Sequence, residues 1–328
     1  MSDPRTAETL TIPPLPVLFQ ARLHPRADWI DQRSIDWMLS HRLIEPGPDE
    51  AFVRQMHMGR LAAWSCPDAD TDHALLLGCL LNWLVLLDDR LVDPVAEMDE
   101  MRELAERWLS FDIIVHDPQA ATVHNTPMES ALRDLCRRIR PLATADQWTR
   151  IQEAITRTLI GYSAKAGHRT DSYRPSLAQF RHIRYYTSGL LIFPPLLEIF
   201  CATELPPDIA LDADIHVLNT TSAAIVTTVH EIATCPHDVR RGIRNLPALL
   251  AAEHACSIQD GLRLAVAELE QLTDQFNHRC MQVEARNLPG SAAYIQALQQ
   301  LIAGHPSWTD ETRRYTDSTM LGPIAGAN

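Results

Sequence analysis

The run Leu75 to Asp93, LLLGCLLNWLVLLDDRLVD, constrains the fold of this chain most, because a nearly unbroken apolar stretch ends in three carboxylates, Asp88, Asp89 and Asp93. It has no period-2 alternation and is too long for an ordinary strand, so it reads as a helix buried on most of its circumference. The acids then stand at the helix C-terminus, where the backbone already carries partial negative charge. Pro94 biases Asp93 away from helical geometry. On a regular helix Asp89 and Asp93 share a face one turn apart, with Asp88 adjacent. A divalent cation would reverse the unfavourable sign, and hard Mg²⁺ takes a few carboxylate oxygens together with water and phosphate. The competing reading is a solvated helix end with Arg90 as ion-pair partner.

With 328 residues, 46% of them hydrophobic, the chain can bury a substantial core. Its formal charge of −13 argues against a general nucleic-acid surface, so any anion site has to be a local cluster of arginines. The start, MSDPRTAETLTIPPLP, lacks the charged, apolar and small-residue segments of a signal peptide and reads as an extended tail. The Leu75 run falls short of a membrane span, holds Asn82 and ends in acids. These features predict a cytoplasmic protein with no membrane span. Seven scattered cysteines without a CxxC pair read as reduced, mostly buried thiols.

Helical patterns follow one another with few β-rich runs, over Glu50 to Trp64, Leu75 to Leu87, Ala96 to Phe111, Met128 to Arg140 and Ala145 to Ala164. They continue over Leu177 to Cys201, Asp214 to Thr234, Asn245 to His254, Ile258 to Ala285 and Ala292 to Ala303. Prolines, Pro236 among them, mark the breaks. Pro194 and Pro195 fall inside a helical run and predict a kink there. No repeat or linker divides the chain. The expectation is one all-α domain over 16–316, with tails at 1–15 and 317–328.

Three further polar clusters stand out. Ala223, Thr227 and Glu231 recur every four residues and share a helix face, and two of them offer a metal an oxygen. Arg184 precedes Thr187, Ser188 and Gly189 just ahead of the proline pair, and Trp308 precedes Arg314 and Tyr315 near the C-terminus. Each is weak alone.

In order and spacing the whole set resembles the bacterial class I terpene synthases. That family places an aspartate-rich motif at the end of a core helix, a diphosphate-sensing arginine downstream, a second metal motif (N/D)DxxSxxxE, and a closing W...RY element. The resemblance implies an α-helical class I terpenoid synthase bundle around a deep apolar pocket. It implies three Mg²⁺ ions, with Mn²⁺ as substitute, and a linear prenyl diphosphate as substrate. Metal would be held by Asp88, Asp89, Asp93, Thr227 and Glu231. Diphosphate would be contacted by Arg184, His230, Arg314 and Tyr315. Arg184, Thr187, Ser188 and Trp308 would act in catalysis, the serine and threonine where a broken helix could present a carbonyl to the cation. Farnesyl diphosphate is the expected substrate and geranylgeranyl diphosphate the next, with a homodimer left open.

The departures are as specific. Ala223-Ala224 stands where the family has Asn-Asp, so one metal ligand is missing, and His230 replaces the basic residue before the final glutamate. Asn219 lies one turn away on the same face, about 5.4 Å along the axis, which is far for a substitute ligand. The alternative reading is therefore a related protein that holds a prenyl diphosphate with little or no turnover. Leu84 and Val85 occupy positions where many relatives carry phenylalanine, and Trp83 is expected to pack in the core.

Overall fold

The computed structural model describes residues 10–16, 18–122, 124–167 and 175–316; residues 1–9 of the expected tail at 1–15, and the expected tail at 317–328, lie outside them. Among the described residues the regular structure is all helix, with no strand. At its centre is α4 (Thr71–Leu87), which buries twelve of its 17 residues, as the apolar run demands. Its first turn is capped by the Asp70 side chain, which accepts from the Asp72 N–H at 2.9 Å. The one polar residue in the run, Asn82, is satisfied by donating to Ser34 Oγ of α1 (Ala27–Ser40) at 3.0 Å. A Cβ on Gly78 would meet Gly59 Cα at 3.2 Å, so paired glycines let α4 and α3 (Met58–Ser65) approach closely. Trp83 is core as expected, its indole donating to Met128 O at 3.0 Å and its ring edge-on to Phe111.

Helix α4 packs on α1, α3 and α6 (Pro127–Ile139); α5 (Met98–His116) packs on α6 and on α7 (Ala145–Gly167), and α7 in turn on α8 (Leu177–Thr187) and α9 (Phe193–Phe200), which the short α10 (Pro207–Ala210) follows. The opposite wall is built from α11 (Ala213–Arg240), α12 (Leu246–Glu253), α13 (Ile258–Ala285) and α14 (Ser291–Glu311). Residues 10–16 run without helix, and Thr11 is tied to Gln259 of α13 through both its N–H and its carbonyl, so this part of the tail is docked.

Four local expectations are corrected. The stretch Glu50 to Trp64 is two helices, α2 (Pro48–Met56) and α3, parted by His57 at φ +54°. Pro236 sits inside α11 rather than at a break, near the end of a helix that runs two turns further than its pattern indicated. Pro194 and Pro195 do not make the kink. They begin α9, where a missing N–H costs nothing, and the break falls earlier at Gly189, φ +74°. Asp93 keeps helical torsions, φ −65° and ψ −32°, despite Pro94.

Candidate active site

The three aspartates fall on a π turn, Asp88–Val92, closed by a bond from Asp93 N–H to Asp88 O at 2.9 Å. This wider turn changes the face each acid uses. Asp88 and Asp93, five residues apart, meet one ammonium, that of Lys165 on α7, at 2.5 and 2.9 Å. Asp89 instead turns to Arg314, which holds it at 2.5 and 2.7 Å. An oxygen from each of the three acids still lies within 4.8 Å of the others, a donor set that fits a hard divalent ion. Arg90 is not their partner, since its guanidinium is buried and donates to Leu43 O and Asp49.

The second cluster faces them from α11. Glu231 is buried and accepts from Arg184 Nε at 2.7 Å and from the Leu246 N–H, at the start of α12, at 3.1 Å. Thr227 Oγ1 donates to Ala223 O at 2.6 Å. Ala223 offers no side-chain donor, so this cluster fits a metal less well than the aspartates do. Asn219 does not replace it, because its side-chain oxygen accepts from Tyr294 OH at 2.7 Å.

Arg184 also reaches toward Thr187 O, the last carbonyl of α8 before the helix break, at 3.5 Å. The Ser188 hydroxyl donates to Tyr185 O and accepts from the Leu190 N–H, closing the end of α8. Beyond α14, Arg314 Nε donates to Tyr315 OH at 3.2 Å, and that hydroxyl lies 3.4 Å from His230 Nε2. Trp308 donates its indole N–H to Met56 O and packs against His305 and Tyr315.

Electrostatics follow from burial. Burial pushes the Asp88 carboxyl up, against the pull of Lys165. Burial works against the Lys165 charge, but Asp88 and Asp93 outweigh it and hold the ammonium above its ordinary value. His230 is driven well below the usual histidine range, by burial first and then by Arg184, so its imidazole is neutral.

All twelve predicted site residues line a single cavity of about 800 Å³. Its polar rim carries the acids and cations, and its wall is apolar, with Leu61, Leu81, Leu84, Val85, Phe180 and Phe193 among the lining. Leu84 and Val85 do form part of that wall, as expected.

Residues 79–275 match the family model described as terpene synthase family 2, C-terminal metal binding. The chain belongs to the terpene synthase family. It is similar to pristinol synthase of Streptomyces pristinaespiralis, 23% identical with 99% of this chain and 89% of that protein covered. It is also similar to 4-epi-cubebol synthase ((2E,6E)-farnesyl diphosphate cyclizing) of Streptosporangium roseum, 21% identical over 94% of this chain and 93% of that protein. In fold it resembles the crystal structure of SVS_A2, a protein from ancestral sequence reconstruction, with a TM-score of 0.83 at 20% identity, covering 96% of this chain and 93% of that one. The synthase is thus an enzyme of the class I, all-α type that acts on prenyl diphosphates. No helix among its described residues is long and apolar enough to cross a membrane.

Lys165 and His305 are among the pocket residues of the synthase that escaped the sequence reading. Lys165 occupies a position on the buried stripe of α7 that runs through Ile151, Ile155, Thr158 and Tyr162. His305 does the same on α14, between Leu301 and Trp308. A polar residue on an otherwise apolar stripe was the available signal in both cases.

Proposed function

We propose that the synthase ionises farnesyl diphosphate, or geranylgeranyl diphosphate as second choice, and closes the resulting cation into a cyclic hydrocarbon or alcohol. The supporting observation is the polarity of the cavity: carboxylates and guanidinium groups converge at one rim, above an apolar wall. A chamber of about 800 Å³ is of the size that buries a prenyl chain.

Asp88, Asp89 and Asp93 would hold Mg²⁺ on one side, and Thr227 with Glu231 on the other. Bound there, Mg²⁺ supplies positive charge to the leaving oxygens. Arg184 and Arg314 present fixed forks of donors to the diphosphate, with Tyr315 OH and the neutral His230 beside them. The carbon–oxygen bond breaks, its electron pair leaves with the diphosphate, and an allylic cation remains. The apolar wall excludes water and folds the chain so that a double bond attacks that cation. Loss of a proton from carbon, or capture of one water with loss of a proton from the oxygen, ends the reaction. At the α8–α9 break, the Thr187 and Ser188 segment is where backbone carbonyls can face the cation.

A second reading, diphosphate binding without turnover, is favoured by one observation: Ala223 has no donor, and the Thr227 hydroxyl is spent on the Ala223 carbonyl. The test is incubation of purified protein with farnesyl, geranylgeranyl and geranyl diphosphates across a Mg²⁺ series, with products read by gas chromatography and mass spectrometry. A cyclic product supports the cyclase and fixes the chain length. Absence of product with diphosphate still bound supports the second reading.

A further inference from the structure

Lys165 contacts two of the three aspartates, and the point between them is where a cation would sit. Asp88 and Asp93 converge from consecutive turns on a point 2.5 and 2.9 Å away, and the ammonium fills that point from α7. The lysine is not a surface residue that has folded inward. Its neighbours on the helix, Tyr162 and Ala166, are buried, and α7 is packed on both α5 and α8. Gly161 sets the second of these contacts, because a Cβ there would meet Tyr186 Cβ at 2.4 Å. The α7 backbone is therefore held, and Lys165 is delivered to the aspartates by the packing of the bundle.

Each of the four acids named above has a cation at this rim. Asp88 and Asp93 have Lys165, Asp89 has Arg314, and Glu231 has Arg184. A divalent ion approaching Asp88 and Asp93 meets an occupied pair of oxygens and a like charge. We propose that Lys165 is a tethered cation that competes with divalent metal for Asp88 and Asp93. Metal enters by displacing it, and does so together with a diphosphate anion, which receives the displaced ammonium. This rests on the reading of the three aspartates as the metal-facing acids. Its consequence is coupling: metal and diphosphate each bind better in the presence of the other, and Lys165 is the residue that links them.

The experiment is a Mn²⁺ titration of the purified protein followed by electron paramagnetic resonance, with and without inorganic diphosphate and corrected for the protein-free Mn²⁺–diphosphate complex. It is run on wild type, Lys165→Met and Lys165→Arg. In the absence of diphosphate, Lys165→Met is expected to bind Mn²⁺ about tenfold more tightly than wild type, within the ordinary range of site-to-site coupling. Lys165→Arg should stay as weak as wild type. Addition of diphosphate should strengthen Mn²⁺ binding to wild type and do so much less for Lys165→Met. Thermal denaturation gives an independent readout: Lys165→Met, with two carboxylates left facing each other, should melt lower than wild type and recover more on adding Mn²⁺. Lys165→Gln, which keeps an N–H donor and loses only the charge, gives the same reading should the methionine variant not fold. Equal Mn²⁺ affinity in wild type and the neutral variants, or equal strengthening by diphosphate, overturns the proposal and leaves the aspartate metal site standing. Binding by none of the proteins, with or without diphosphate, overturns that site as well.

Discussion

Arg314 grips Asp89 with both terminal guanidinium nitrogens, at 2.5 and 2.7 Å, and so ties the segment after α14 to the π turn after α4. The same guanidinium carries Tyr315 on its Nε, so the closing element of the chain is held over the aspartates as a unit. Lysine has the charge but not the fork. Arg314→Lys is expected to lower kcat/KM by about tenfold or more and to destabilise the fold by about 1.5–3 kcal/mol, the usual worth of a hydrogen bond to a charged group. Steady-state kinetics on whichever prenyl diphosphate the product assay shows to be turned over, with thermal denaturation beside it, checks both. An unchanged kcat/KM would leave the pair a purely structural tie.

Much of this site is legible in the sequence because its residues are tied to helix periodicity. The apolar run predicted α4 because a helix buried all round has to be apolar all round, and the four-residue spacing of Ala223, Thr227 and Glu231 survives on α11. What periodicity cannot give is which neighbour each acid faces. The π turn inserts one extra residue into the turn that carries the aspartates, and so regroups Asp88 with Asp93 while sending Asp89 to Arg314. Nothing in the string DDRLVD distinguishes that turn from an α-helical one. Lys165 was hidden for a related reason: its partners lie 77 and 72 residues away, as the distance in number from Asp88 and Asp93, and only the packing of α7 brings them together.

Gly161 carries a second prediction. On α7 it faces Tyr186 of α8, and an added Cβ would fall 2.4 Å from Tyr186 Cβ and 3.1 Å from its carbonyl carbon. Neither is the free end of a flexible side chain, so α8 has to move as a helix. Arg184 lies on that helix two residues before Tyr186. Gly161→Ala should therefore act twice, lowering the melting temperature by several degrees through overpacking at about 1–3 kcal/mol and lowering kcat/KM through displacement of the arginine. Alanine is a better helix former than glycine by about 1 kcal/mol, so a raised melting temperature would mean that α8 yields freely.

His305 predicts a pH dependence of stability. It is buried beside His230 and Trp308, its Nε2 has no hydrogen-bond partner among the described residues, and burial, then Arg184, push it down to about 3. The folded pKa lies below the unfolded value of about 6.5, so between the two the unfolded chain takes up a proton that the native chain does not. Its contribution is complete above about pH 6.5 and is lost as the pH falls toward 3, by about 2 kcal/mol between pH 7 and 5. His230, also held neutral, adds in the same direction. Asp88, held above its ordinary value, works the other way. His305→Phe keeps a ring against Trp308 and removes the titration. Chemical denaturation at pH 7 and pH 5 should show a smaller loss of stability in the variant; identical losses would remove His305 as the cause.

Ala223 carries the last prediction. On α11 it stands one turn before Thr227 and two before Glu231, on the face turned to the cavity rim, yet its side chain ends at a methyl group and is itself buried. With no oxygen there, the Thr227 hydroxyl folds back onto the Ala223 carbonyl at 2.6 Å, and Glu231 is left to Arg184 and the Leu246 N–H. Asparagine at 223 would restore a carbonyl oxygen one turn from Thr227, and a donor set of two hydroxyl or amide oxygens and a carboxylate suits Mg²⁺ better than Thr227 and Glu231 alone. Two effects oppose each other. The added ligand favours metal, and the larger side chain has to find room at a buried position, at a cost of about 1–3 kcal/mol in stability. The ligand effect is read in the metal dependence and the packing effect in the melting temperature, so the two separate. Ala223→Asn is expected to lower the Mg²⁺ concentration for half-maximal rate several-fold while the protein melts at an equal or lower temperature, and adding Ala224→Asp should lower that concentration further. An unchanged or raised Mg²⁺ requirement, in a variant that still folds, would mean that this face of α11 does not approach the metal and that Glu231 acts only through Arg184 and the start of α12.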